Sequence, residues 1–306
     1  MSQRRRQVVG ASTQLATQVS INFGSALAGL LIPIVGTLAV VAARQAVVAA
    51  TVIPIARPKL RALGFRALVP AIALGLVLAI MNLTFYESVA RLGLGIAAPI
   101  EFLGPLALAI AASRRLIDFA SAVAAGVGVF LLVGETGAFD VLGVVLALTA
   151  AAAWAAYILL TRVVAERLDG LQGLAVASMV SLAVLTPIAL AFVDFSAFTW
   201  PIIGLLVLGG VLASAVPYSL DTFILRRITP RVYAIITSFG PVIAAFWGWV
   251  LLAEVFTPLQ VGAILLICVA AAAAIATQKE PVAELAPEFT AITTASIPTQ
   301  GTPHAE

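Results

Sequence analysis

The chain alternates long apolar stretches with brief polar breaks. A helix needs about 20 mostly apolar residues to cross a bilayer. Read with a window of about 19 residues, the sequence shows ten such stretches, at roughly 9–30, 35–56, 68–88, 93–112, 117–134, 141–162, 172–193, 200–224, 232–253 and 258–277. These runs are too long for barrel strands, and in hydrocarbon the backbone must satisfy its own hydrogen bonds. The predicted fold class is therefore all-α integral membrane, with ten transmembrane helices. The intervening loops are too short to hold a soluble domain. From Gln278 onward the chain turns polar, with Pro281, Pro287, Pro298 and Pro303, and a segment of that composition is expected to be disordered.

The basic residues set an orientation. Cytoplasmic loops of membrane proteins carry the excess of Lys and Arg. Arg4–Arg6 precede the first span, and Arg57, Lys59, Arg61 and Arg66 lie between the second and third. Arg114 and Arg115, Arg162 and Arg167, then Arg226, Arg227 and Arg231 follow spans 4, 6 and 8, and Lys279 follows span 10. Of the 17 Lys and Arg, only Arg91 falls on the other side and only Arg44 within a span. Ten spans with both termini cytoplasmic satisfy this alternation. Ala26-Leu27-Ala28 resembles a signal-peptide cleavage site. The centre of that span is too polar for a signal peptide, so it is expected to remain.

Composition agrees: 62% of residues are hydrophobic and 10% charged, against about 45–50% and about 25% in soluble domains. The net charge of +3 is spent on topology, so no nucleic-acid partner is expected. Cys268 is the single cysteine and His304 the single histidine. Neither a disulfide nor a zinc-type cluster can form within the chain, and no metal and no cofactor are expected.

An ungapped constant offset relates spans 4–5 to spans 9–10. It matches Arg91 with Arg227, Gly104-Pro105 with Gly240-Pro241, Asp118 with Glu254, Ser121 with Thr257 and Gly126 with Gly262. The offset is five spans, an odd number, so the two halves would be inverted. Inverted repeats are common in secondary transporters, with the substrate site near the midplane. The expected division is a cytoplasmic N-terminus at 1–8, five-helix repeats at 9–134 and 141–277, and a cytoplasmic tail at 278–306.

Polar groups within spans are costly and mark cavities or helix contacts. Gln14, Gln18 and Asn22 form one stripe on span 1, followed by Ser25. The stripe could line a water-filled cavity or bond to a neighbouring helix. Arg44 could grip a substrate carboxylate, or instead pair with an acid or snorkel. Glu101, four residues before Pro105, could bind a proton or a substrate ammonium, or be a structural acid. Asn82 and Tyr86 share a face of span 3, and Trp154 and Tyr157 one of span 6, while Tyr218 lies in span 8. Proline removes a helical donor, so Gly104-Pro105 and Gly240-Pro241 are hinge candidates.

Several motifs are missing: a P-loop, H-E-x-x-H, G-x-S-x-G and an Arg-rich voltage sensor. An enzyme would need clustered His, Asp or Ser residues, and a sensor a soluble domain. The pattern resembles the EamA branch of the drug/metabolite transporter superfamily, and within it the bacterial threonine/homoserine exporter group. The resemblance covers roughly residues 15–280. It rests on Met81-Asn82, Phe85-Tyr86, Leu94-Gly95-Ile96-Ala97, Glu101-Phe102, Gly104-Pro105-Leu106-Ala107, Ser113-Arg114-Arg115, Trp154-Ala155, Tyr157-Ile158-Leu159 and Pro217-Tyr218-Ser219-Leu220.

The resemblance implies an inner-membrane exporter of small amino acids driven by proton antiport, in the lipid bilayer, with protons and amino acids as its ligands. Export of another metabolite or drug is the alternative, and a homodimer is compatible with the sequence. The implied pocket is Glu101, Asn82, Tyr86, Tyr218 and Trp154, with Arg44 on helix 2. Our own reading adds Asn22 and Tyr157, and gives Glu101 the coupling role. One departure stands out: the resemblance implies an acid before the span-9 proline, where this chain has Gly240.

Overall fold

The computed structural model describes residues 3–58, 64–111, 115–134, 140–168, 170–217, 220, 224 and 227–277. The apolar runs become α1 (Gln3–Val35), α2 (Thr37–Ala56), α3 (Phe65–Leu92), α4 (Leu94–Glu101), α5 (Leu103–Ala111), α6 (Leu116–Gly134), α7 (Val141–Ala165) and α8 (Gln172–Phe192). They continue as α9 (Trp200–Gly210), α10 (Pro230–Thr237), α11 (Gly240–Leu252) and α12 (Pro258–Thr277). The tail beyond Thr277 and Tyr218 of span 8 lie outside the described residues.

Among the described residues nine helices are long and apolar enough to cross a membrane. The predicted eighth span appears as the shorter apolar stretch Trp200–Ser214. There α9 passes into a π-helical turn at Val211–Ala215. Phe65, Leu116, Phe130, Phe192 and Trp200 are exposed. Large apolar side chains turned outward in such numbers require a partner surface, and lipid supplies one. The chain is thus a multi-pass helical membrane protein.

Some boundaries differ from the sequence expectation. Helix α1 runs from Gln3, through Arg4–Arg6, to Val35. The cause at its end is Gly36: with φ of 81° it alone connects α1 to α2. Gly93, with φ of 84°, links α3 to α4 in the same way. Side chains rarely adopt this backbone region, so single-residue turns fall at glycines. At the start of α7 the cap is Asp140, which accepts the Gly143 N–H at 2.9 Å and pairs with Arg91 at 3.4 Å. The amide first, and Arg91 after it, hold this carboxyl below its ordinary range.

Spans 4 and 9 are both interrupted, α4 from α5 at Phe102 and α10 from α11 at Ser238-Phe239. Pro105 and Pro241 carry no N–H, so the carbonyls of Glu101 and Thr237 lose their helical partner. Helix contacts recur when each span is exchanged for the one five places away. Helix α3 packs on α7 and α8, as α9 packs on α1 and α2. Helices α4 and α5 pack on α7, as α10 and α11 pack on α1. The pairs α2–α8 and α6–α12 map onto themselves, as does the contact between whole spans 4 and 9, made by α4 and α11. The largest buried cluster, around Tyr86, Leu94, Ala97, Ala150, Leu185 and Ala244, sits where these helices meet.

Candidate functional site

Three helices converge on Tyr86. Arg44 of α2 donates from Nη1 to the Tyr86 hydroxyl at 2.5 Å, with its guanidinium carbon 5.6 Å from the ring centroid. Tyr86 of α3 is 1% exposed, and its hydroxyl donates onward to Ser25 Oγ of α1 over a longer 3.4 Å. Arg44 is thus tied to a buried tyrosine inside the bundle, and among the described residues it closes no salt bridge. A guanidinium has five N–H donors in a rigid fork, so most of its capacity is left for a ligand.

Glu101 is the last residue of α4 and is partly accessible at the break. Arg44 is the charge that acts on it through space, and the two do not close an ion pair within 4.0 Å. A carboxyl and a guanidinium thus act on each other within the membrane-spanning region without a salt bridge between them. Such a pair can accept the two ends of a zwitterion.

Trp154 of α7 stands edge-on to Phe102, the residue after Glu101, with ring centroids 5.9 Å apart. Tyr157, its sequence neighbour on that face, goes elsewhere: it packs with the α3–α8 cluster around Leu74, Leu78 and Met81. Asn82 and Asn22 are 8% and 9% exposed. Each amide donates to its own helix at 2.9 Å, to Leu78 O and Gln18 O respectively. Each keeps its carbonyl oxygen and a second N–H to offer a ligand. Removing the Tyr86 hydroxyl breaks a hydrogen bond to a charged group, a loss of about 1.5–3 kcal/mol. Tyr86→Phe is expected to lower the melting temperature in detergent, while Thr84→Val, whose hydroxyl only bonds its own helix, is expected to have little effect.

The polar stripe of α1 resolves into helix contacts. Gln14 and Gln18 donate to Thr237 Oγ1 at 3.0 and 3.5 Å. Thr237 precedes Pro241 by four residues, as Glu101 precedes Pro105. By the same offset Gln18 corresponds to Trp154. Thr237 escaped the sequence reading because a threonine in a span is ordinary; the offset from Glu101 would have found it.

The two Gly-Pro pairs are unequal. A Cβ on Gly104 would run into the backbone of Ala151 on α7. One on Gly240 would meet only Gln18 Oε1, at 3.4 Å. Gly104 is therefore required by the close approach of α5 to α7. Gly240 faces the polar stripe with room to spare.

Residues 141–276 match the EamA-like transporter family. The chain is 34% identical to the threonine/homoserine exporter RhtA of Escherichia coli strain K12, over 80% of this chain and 84% of that protein. It is 35% identical to the exporter of the same name from Salmonella typhimurium strain LT2, over 81% and 84%. A crystal structure superposes with a TM-score of 0.57 at 19% identity, covering 90% of this chain and 97% of the other. At that identity the likeness is one of fold.

Proposed function

We propose that this chain, which belongs to the EamA-like transporter family, exports small amino acids of the threonine and homoserine kind by proton antiport. The observation that carries the reading is an intramembrane guanidinium, Arg44, held by Tyr86 and acting through space on Glu101 at the first helix break, with no salt bridge between the two. The printed activity of the exporter relatives supports the substrate class.

In this reading Arg44, held by Tyr86, receives the substrate carboxylate. Glu101 binds either the ammonium or a proton, never both. Competition at one carboxyl is sufficient to make an antiporter: a proton arriving from outside displaces the amino acid outward, and an amino acid arriving from inside displaces the proton inward. Trp154, Asn82 and Asn22 line the surroundings, Tyr218 is assigned to the same site by the resemblance alone, and Tyr157 packs apart from it. The architecture is two inverted five-helix halves, 9–134 and 141–277, between cytoplasmic segments 1–8 and 278–306, set in the bacterial inner membrane. Its support is the exchange of helix contacts between spans five apart and the breaks at matching places. Alternating access then follows from rocking about Gly104-Pro105 and Gly240-Pro241.

The test is flux. Proteoliposomes holding the protein should accumulate labelled threonine or homoserine against its gradient when a pH gradient is imposed, and not when it is collapsed. Accumulation without a pH gradient would remove the antiport. Preference for a solute lacking a carboxylate would move the assignment to another small metabolite or drug.

A further inference from the structure

Glu254 lies just past the end of α11, yet it is turned inward. Ala253 before it adopts a left-handed φ of 54°, which side chains rarely take unless the surroundings impose it. The reversal delivers the Glu254 carboxylate to the start of α4. Its Oε1 accepts the Leu94 N–H at 2.5 Å, and its Oε2 accepts the Gly95 N–H at 2.9 Å. These are two of the amides that a helix leaves without an internal partner, at the end where its dipole favours an anion.

Three glycines make room for the carboxylate. A Cβ on Gly93 would approach Oε1 to 2.8 Å, and one on Gly95 would approach Oε2 to 3.0 Å. One on Gly248 of α11 would collide with the same carboxylate. The ring of Phe256 covers Gly95. The carboxyl is met by backbone amides, and burial outweighs them in setting its proton affinity, which is raised above the ordinary value. Among the described residues no charged side chain adds to these influences.

Each end of this contact leads to a helix break. Helix α4 carries Glu101 at its far end, and α11 begins at Gly240-Pro241. We propose that Glu254 is a positioning residue for transport: its carboxylate clamps the outer halves of the two broken spans together, holds Glu101 in place, and must release for the path to open on the side where α11 ends. Asp118 stands at the corresponding place in the first half and is buried, where Glu254 is half-buried. The clamp rests on the transport reading for its effect on flux, but its geometry does not depend on which solute is carried.

The test reads accessibility as well as flux. A reporter cysteine replaces Ala98, one turn before Glu101, in a Cys268→Ser background, and whole cells are labelled with a membrane-impermeant maleimide. In Glu254→Gln, which keeps the shape but loses the charge, the labelling rate should rise by about fivefold or more, the low end of usual coupling between sites. Glu254→Asp keeps the charge one methylene short and should fall between. If Glu254→Gln does not accumulate in the membrane, Glu254→Asp carries the comparison. Raised labelling supports the clamp even if no solute tested is transported, in which case only the substrate assignment fails. Labelling equal to that of the parent in each variant that accumulates would overturn it.

Discussion

Glu101→Gln is expected to abolish proton-driven export while the protein still reaches the membrane at its normal level. Glutamine has nearly the shape of glutamate and keeps an acceptor at the break, so α4 and its neighbours need not move. What disappears is the charge and the ability to exchange a proton. A charge-assisted hydrogen bond contributes about 1.5–3 kcal/mol, so an ammonium bound there loses about ten- to hundredfold in affinity. Arg44 is untouched, because its hydrogen bond goes to Tyr86 and not to Glu101. The carboxylate end of the substrate is therefore still held. The expected signature is a split: accumulation driven by a pH gradient is lost, while counterflow of labelled against unlabelled substrate survives at raised KM. Full gradient-driven accumulation in Glu101→Gln would remove the coupling role from this residue.

The membrane class and nine of the ten span positions were legible because hydrocarbon leaves the backbone so few choices. Twenty apolar residues can only be a helix, and a proline deep inside one marks a candidate break, although Pro70 and Pro187 sit within continuous helices. Both breaks, at Phe102 and at Ser238-Phe239, fall beside the Gly-Pro pairs that the sequence singles out. Side-chain partnerships were not legible. The carboxylate of Glu254 meets the backbone of Leu94 across 160 positions, and backbone amides have no identity in a sequence. Gln14 and Gln18 could as well have faced water as Thr237. Tyr157 shares a helical face with Trp154 by spacing alone. A face about three residues wide can still be divided between two neighbouring helices, and here it is. The inequality of Gly104 and Gly240 was hidden for the same reason, since each is followed by proline and only the third dimension shows what stands opposite.

That inequality gives the second large effect. Gly104→Val is expected to prevent accumulation of folded protein, and Gly104→Ala to lower its melting temperature clearly. In an open helical position the change from glycine to alanine gains about 1 kcal/mol. At Gly104 the added methyl would lie inside the backbone of Ala151, and no rotamer change relieves a contact with a carbonyl. Overpacking against side chains costs about 1–3 kcal/mol; against backbone, α5 and α7 must separate along the contact that sets the position of Phe102 and Trp154. Gly240→Ala faces only the end of Gln18, which can withdraw, so its stability should match that of the parent. Gly126→Ala and Gly262→Ala, with nothing within 4 Å, serve as open references. The comparison also separates packing from motion. If Gly240 serves as a hinge, Gly240→Ala should slow transport at unchanged melting temperature, whereas at Gly104 any loss of rate should follow the loss of folded protein. A stable Gly104→Ala protein with parental flux would mean that α5 and α7 are not in the contact described.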